Sequence, residues 1–382
     1  MSVSFGIVGS GWRSEFFLRI AAALPERFRV TGLVTRSAET AADIRRRWGV
    51  PAHADLAGLL GADRPDFVVV SVPRDVAPGI IVDLVDRGMP VLTETPPAGD
   101  VDDLIALWER IGRPGGPSVQ VAEQYHLSPL LAAQLAVARS GRLGRPTQAL
   151  VAQCHDYHGV SVMRRALGVG ADDAEVSAAV FRSPLVAGPG RDGDPTEERT
   201  ITATQTTARF VFGDRLGVYD FAGEQYFSWI RGNRLLIRGE RGEIDNLEVR
   251  HLRRFDEPVF DSLRRVMTGE GGNLEGMFLR GILLGDEWVF RNPFSPARLN
   301  DDEIAIARML HAMPQAIGGG APVYSLAEAS QDHYLALLMQ RAATTGETLR
   351  SSRQPWADAV DAADTPDAAD AAGELHGGLP TG

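Results

Sequence analysis

Along the first 125 or so residues, short apolar runs rich in β-branched side chains alternate with amphipathic segments. The runs at residues 3–8, 28–34, 67–71, 91–94 and 119–122 read as strands. Between them, "AETAADIRRRWG", "VAPGIIVDLVDRG" and "VDDLIALWERIG" carry apolar residues at helical spacing, and each closes on a glycine. Asp100, with Asp103 three residues on, has the form of an N-cap with an acidic first turn. Strand and helix in strict alternation predict a parallel sheet with helices on both faces.

The pattern changes after residue 125. A helix is predicted in "PLLAAQLAVARSG", a strand at residues 148–153 and a helix beginning near His158. The stretches "RTITATQTTARFVFG", "LGVYDFAGEQYFSWIRG" and "NRLLIRGERGEI" then alternate and turn at glycines, as an antiparallel sheet does. In "YDFAGEQYFSW" continued alternation puts Tyr219, Phe221, Gly223 and Gln225 on one face and Asp220, Ala222, Glu224 and Tyr226 on the other. Residues 326–345 return to helix, and residues 351–382, rich in Ala, Asp, Gly and Pro, read as a disordered acidic tail. The expected organisation is an α/β domain over residues 1–125, then an α+β domain with an open, mostly antiparallel sheet over 126–350.

Charge narrows the partners. Thirty-nine arginines and lysines against 50 acids give a formal net charge of -11, which disfavours nucleic acid and anionic membrane. The single cysteine, Cys154, cannot form an intrachain disulfide or a cysteine zinc cluster. With no basic segment before the first apolar run and no run of membrane-spanning length, a cytoplasmic protein is expected. There is no lysine, so every basic side chain other than histidine is an arginine.

"FGIVGSGWRSEFF" follows the first strand and opens the first helix, with Gly9, Gly11 and Ser14 in the three small-residue positions of a dinucleotide fingerprint. Gly9 makes the tight turn, Gly11 admits the pyrophosphate, and Ser14 lets helix and strand pack. The N–H groups of Ser10, Gly11 and Trp12 are expected to face the pyrophosphate, with Arg13 adding charge. Where an NAD-binding chain usually places an acid for the ribose, this one offers Thr35, Arg36 and Ser37. A guanidinium between two hydroxyls suits a 2′-phosphate, so NADP is expected, with NAD as the alternative.

These motifs, with "SVPRD", "ETPP", "VAEQYHLSP" and "YHGVSVMRRALG" in that order, resemble the glucose-fructose oxidoreductase, inositol dehydrogenase and rhizopine-catabolism (Gfo/Idh/MocA) family over about residues 1–350. The resemblance implies a Rossmann domain holding NAD or NADP, and a second domain presenting an open sheet to substrate and to a partner subunit. It implies oxidation or reduction of a sugar-like or cyclitol-like polyol. It also adds Ser71, Pro73, Glu94, Thr95 and Gln124 to the cofactor contacts, and points to His126, His155 and Asp156 near the substrate.

The family pattern is incomplete here. Its Glu-Lys-Pro reads Glu94, Thr95, Pro96, so the proton-transferring lysine is replaced by a residue that does not ionise near neutral pH. His158 matches the family histidine, but Ser161 stands where its aspartate would be. His158 is therefore the expected acid/base, with Tyr125 beside it. His155 and His158 without a third ligand do not make a metal site. A cis Thr95-Pro96 bond is expected beside the cofactor, and a homo-oligomer through the open sheet. Two further readings stand beside the oxidoreductase: a non-catalytic NADP-binding sensor or docking protein, and a lyase or epimerase with tightly held cofactor.

Overall fold

The computed structural model describes residues 2–112, 117–269 and 276–363 of the 382-residue chain. Its first half runs β1 (Val3–Val8), α1 (Ser14–Ala23), β2 (Phe28–Val34), α2 (Ala38–Trp48), β3 (Ala52–His53), α3 (Leu56–Ala62), β4 (Phe67–Val70), α4 (Ala77–Asp86), β5 (Val91–Thr93), α5 (Val101–Ile111) and β6 (Val119–Val121). All pairs are parallel, in the order β3-β2-β1-β4-β5-β6. Strands β1 and β4 are buried end to end, as parallel strands with helices on both faces must be. The chain reverses direction across the sheet at β1, between β2 and β4, and ligands of open α/β sheets bind at that switch point. Asp100 caps α5 as expected, accepting from Asp103 N. The short β3 and α3 were not anticipated.

The second half runs α6 (Pro129–Arg139), β7 (Pro146–Ala152), α7 (Asp156–Leu167), β8 (Glu175–Val186), β9 (Thr200–Phe212), β10 (Arg215–Ala222), β11 (Arg234–Gly239), β12 (Gly242–Asp245), β13 (Glu248–Arg254), β14 (Glu257–Thr268), β15 (Phe278–Leu284), β16 (Glu287–Arg291), α8 (Asp301–Ile317), α9 (Leu326–Thr345), β17 (Leu349–Arg350) and α10 (Ala357–Ala363). Eleven strands form one sheet, antiparallel except where β7 lies parallel to β10. Helix α7 seats directly on β10: a Cβ at Gly159 would come within 2.6 Å of the Tyr219 ring. Helices α7 and α9 cover one side of the sheet, while Phe181 on β8 and Phe260 on β14 remain exposed. Among the described residues, no helix is long and apolar enough to cross a membrane.

Two expectations need correction. Alternation does not continue through "YDFAGEQYFSW": β10 stops at Ala222, and residues Gly223–Tyr226 form a 3₁₀ turn. Three residues per turn replace the period of two, so Tyr226 leaves the expected face. The tail expectation fails over residues 351–363, and its remainder, residues 364–382, lies outside the described residues. Trp356 and Val360 are fully buried, the Trp356 indole N–H donates to Gln331 Oε1 at 2.9 Å, and Ala171 N donates to Asp361 Oδ1. The anchor is one large aromatic whose burial outweighs the polar composition around it. Trp356→Ala should lower stability by about 3–5 kcal/mol, read from urea unfolding midpoints, because it empties a fully enclosed site and orphans the Gln331 acceptor.

Candidate functional site

Gly9, Thr35, Ser71, Glu94 and Glu123 each follow the carboxyl end of a parallel strand, so the sheet delivers them to one edge. There Gly9, Thr35, Ser71 and Glu94 border a cavity of about 1260 Å³ that continues into the second domain, and Glu123 contacts the His158 that lines it. Gly9 has φ +110°, and a Cβ on it would lie 2.0 Å from the Ser71 carbonyl oxygen, so only glycine makes this turn. A Cβ on Gly11 would meet nothing within 4 Å, which leaves that side of the loop open to a ligand. Ser14 lies beneath the loop and donates to Gly9 O at 3.1 Å, supporting the turn without lining the cavity. Ser10, Gly11, Trp12 and Arg13 do line it, and the loop amides of Ser10, Gly11 and Trp12 donate to no acceptor among the described residues.

Thr35 is bonded through its hydroxyl to Ser10 Oγ at 3.1 Å, tying β2 to the glycine loop. Ser37 caps α2 by accepting from Thr40 N. Arg36 borders the cavity, is exposed, and forms no ion pair among the described residues. Ser71, Pro73, Glu94, Thr95 and Gln124 also line the cavity, and Thr95-Pro96 is cis. Arg13 departs from the expectation that it adds charge for the pyrophosphate. Its guanidinium pairs with Glu94 at 3.0 Å and with Asp302, at the start of α8, at 3.2 Å. One donor of Arg13, Nη2, and the acceptor Gln124 Oε1 are buried with no partner. An open turn whose amides meet no acceptor among the described residues, with an orphan donor and an orphan acceptor beside it, fits the dinucleotide that the fingerprint implies.

Where the cavity enters the second domain lies a compact group of rings. His158 Nδ1 is 2.5 Å from Glu123 Oε2, and both side chains are nearly inaccessible. The other carboxylate oxygen, Oε1, accepts from Tyr125 N at 3.2 Å, so Glu123 is held at both ends. Tyr125, Tyr157 and His155 pack around the imidazole with centroids 4.6, 4.4 and 4.8 Å from it. His158 Nε2 has no hydrogen-bond partner among the described residues, and His158 borders the cavity, so this nitrogen is the one available to a ligand. Tyr157 OH donates to Thr95 O at 3.4 Å.

Tyr226, displaced from the sheet face by its turn, bridges this group. Its oxygen accepts from Tyr125 OH at 3.1 Å and from His155 N at 3.1 Å, so its own proton goes to His155 Nδ1 at 2.7 Å. Burial pushes the Tyr125 hydroxyl far above the ordinary phenol range and that of Tyr226 up to about 12. Tyr125 thus donates hydrogen bonds and packs against His158, and does not exchange protons near neutral pH. His155 is pushed down to about 4, first by burial and then by His158.

Two expected substrate residues lie elsewhere. In the 3₁₀ turn Tyr125–Leu127 successive side chains are about 120° apart, so Tyr125 reaches the cavity and His126 does not. The His126 ring packs on Tyr324, 5.2 Å between centroids, with burial holding its pKa well below the usual imidazole value. Asp156 opens α7 with φ +40°, its N–H donates to Tyr219 OH, and its side chain stays off the cavity. Sequence reading missed Glu123 and Asp302. A lone acid ending an apolar strand was the available sign of the first. For the second it was "NDDE", where Asn300 and Glu303 form a capping box ahead of an apolar helical repeat.

Residues 3–122 match the Gfo/Idh/MocA model, described as an oxidoreductase family with an NAD-binding Rossmann fold. No curated protein sequence matches the chain. Among solved structures, levoglucosan dehydrogenase in complex with NADH and levoglucosan is 17% identical, with TM-score 0.65 over 92% of this chain and 99% of that one. An oxidoreductase from Agrobacterium radiobacter, in complex with NAD+, L-tartaric acid and magnesium, is 16% identical, with TM-score 0.63 over 91% and 98%. The WlbA dehydrogenase from Bordetella pertussis, in complex with NADH and UDP-GlcNAcA, is 16% identical, with TM-score 0.57 over 92% and 98%. At these identities the likeness establishes a shared fold.

The lowered His155 value has a consequence for stability. An unfolded histidine takes up a proton below about pH 6.5, whereas folded His155 resists until about 4. Stability conferred by this group is therefore present above the unfolded value and lost as pH falls through that window. His155→Asn should make the decline between about pH 7.5 and about pH 5 shallower, as measured by urea midpoints at both values.

Proposed function

We propose that this chain, whose residues 3–122 match the Gfo/Idh/MocA oxidoreductase model, is an NADP(H)-dependent dehydrogenase of a sugar-like or cyclitol-like polyol, with His158 as its acid/base. The observation that carries this reading is the 2.5 Å contact between His158 Nδ1 and the buried carboxylate of Glu123. Bound NADP would supply a hydride acceptor. Every proton step then falls to the chain, and with no lysine present the unpartnered His158 Nε2 is the group suited to take the substrate hydroxyl proton. Glu123 fixes the tautomer by holding the proton on Nδ1, and stabilises the imidazolium as it forms. Tyr125 and Tyr157 pin the ring, and the Thr95 hydroxyl positions the substrate hydroxyl.

The choice of NADP rests on Arg36, a guanidinium beside Ser37 after the end of β2 that forms no ion pair among the described residues, with no carboxylate in the ribose-binding position. The substrate class rests on similar structures that hold levoglucosan, UDP-GlcNAcA or L-tartaric acid. The proposal extends to a homo-oligomer formed through the open sheet, where Phe181 and Phe260 are exposed. It also extends to a reducing, cytoplasmic setting, with which the single buried cysteine is consistent.

His158→Ala should lower polyol oxidation by about 10²–10⁴-fold while leaving NADPH affinity within about two-fold, and Glu123→Gln should lower kcat with little change in KM. Steady-state kinetics alongside fluorescence titration of NADPH check both. Saturable NADPH binding without turnover across sugars, cyclitols and sugar acids would favour the sensor reading instead. Arg36→Asp should weaken NADPH by about 10–100-fold and reverse the preference toward NADH, since it replaces a charge-assisted phosphate contact with a ribose acceptor.

A further inference from the structure

Between β8 and β9 the chain continues past the sheet as an arm. Ala187 N donates to Arg199 O, and Gly190 and Gly193 exchange backbone hydrogen bonds at 3.0 and 3.2 Å, so Arg191 and Asp192 form its tip. Near its base the arm lies against the segment after β10, where a Cβ on Gly188 would sit 3.4 Å from Ser228 Cα. The tip reaches the first domain: the Arg191 guanidinium lies 4.4 Å over the ring of Trp12, the residue whose amide belongs to the glycine loop. Arg191 borders the same cavity and has no acid partner among the described residues.

Charge around the glycine loop explains what this cation is for. A pyrophosphate brings two negative charges to the loop. Arg13, the nearest sequence candidate to oppose them, is already paired with Glu94 and Asp302, so that trio carries a net negative charge. The amides offer hydrogen bonds but no full charge. A guanidinium stacked on an indole keeps its N–H edge free for a planar, two-point contact with phosphate.

We propose that Arg191 holds the pyrophosphate of the bound dinucleotide, so that the arm of the second domain closes the cofactor against the glycine loop of the first. This rests on the dinucleotide reading above. It makes cofactor affinity a property of both domains, and it ties cofactor release to movement of the arm. A phosphate or carboxylate on the substrate offers the same chemistry, and the test separates the two sources.

The full-length protein, Arg191→Gln and Arg191→Lys are titrated with NADPH and with adenosine 2′-monophosphate, which carries the 2′-phosphate and lacks the pyrophosphate. Arg191→Gln should weaken NADPH by about 10-fold and flatten its salt dependence, leave adenosine 2′-monophosphate within about two-fold, and be partly rescued by Arg191→Lys. NADPH affinity unchanged in Arg191→Gln overturns the assignment, and a rise confined to the KM of anionic polyols would move Arg191 to the substrate. Equal loss for both probes also overturns it, because the arm would then act without contacting the pyrophosphate. Failure of the wild-type protein to bind NADPH or NADH at all overturns the dinucleotide reading itself.

Discussion

A carboxylate and an imidazole 2.5 Å apart, 35 residues apart in sequence and both almost wholly enclosed, set the tolerance for everything around them. Glu123 follows the last strand of the first sheet by two residues, and His158 lies in the first turn of α7, so their contact demands that the two domains meet in one arrangement. The segment before α9 enforces it. Val121 N donates to Tyr324 O, Tyr324 N donates to Gln120 Oε1, and Gln120 bridges to Ser325, so the free edge of β6 is closed by chain from the second domain.

The same residue fastens α7. The Tyr324 hydroxyl donates to Asp332 on α9 and accepts from Ser161 at 2.9 Å. One turn further along α7, Arg164 spans Glu328 and Asp332 at 2.9 and 2.7 Å and places its remaining donors on Gly170 O. Burial lifts Asp332 to about 6 even beside that arginine. A buried cluster of this kind is weak evidence of net stability, but breaking it would strand an uncompensated charge, so it resists sliding of α7 over α9. Ser161, where the family resemblance implies an aspartate, is thus part of the scaffold behind His158.

A chain without lysine has few ways to move protons. Arginine stays charged, the cavity tyrosines are pushed up by burial, and His155 is pushed down to about 4. Threonine at position 95 does not ionise near neutral pH, and it lines the same cavity as His158. Around the glycine loop, Glu94 and Asp302 share Arg13 and leave a net negative charge, and Arg36 and Arg191 face the cavity with no acid partner among the described residues.

Local periodicity alone determined the parallel sheet of the first domain, the glycine turn at its first strand, and the helix at 326–345, because each depends on a repeat within one element. It also exposed the loss of lysine and the arginine at residue 36, which are matters of composition and position. The tertiary structure decided what depends on distant partners. Glu123 was paired with a histidine on another domain, Tyr226 reached His155 because a strand ended early, and Arg13 was claimed by an acid on α8. Trp356 turned a polar stretch into a docked segment, since one enclosed aromatic outweighs average composition. Ring orientation in a three-residue turn separated Tyr125 from His126, because a sequence carries residue order but not the rotation between neighbours.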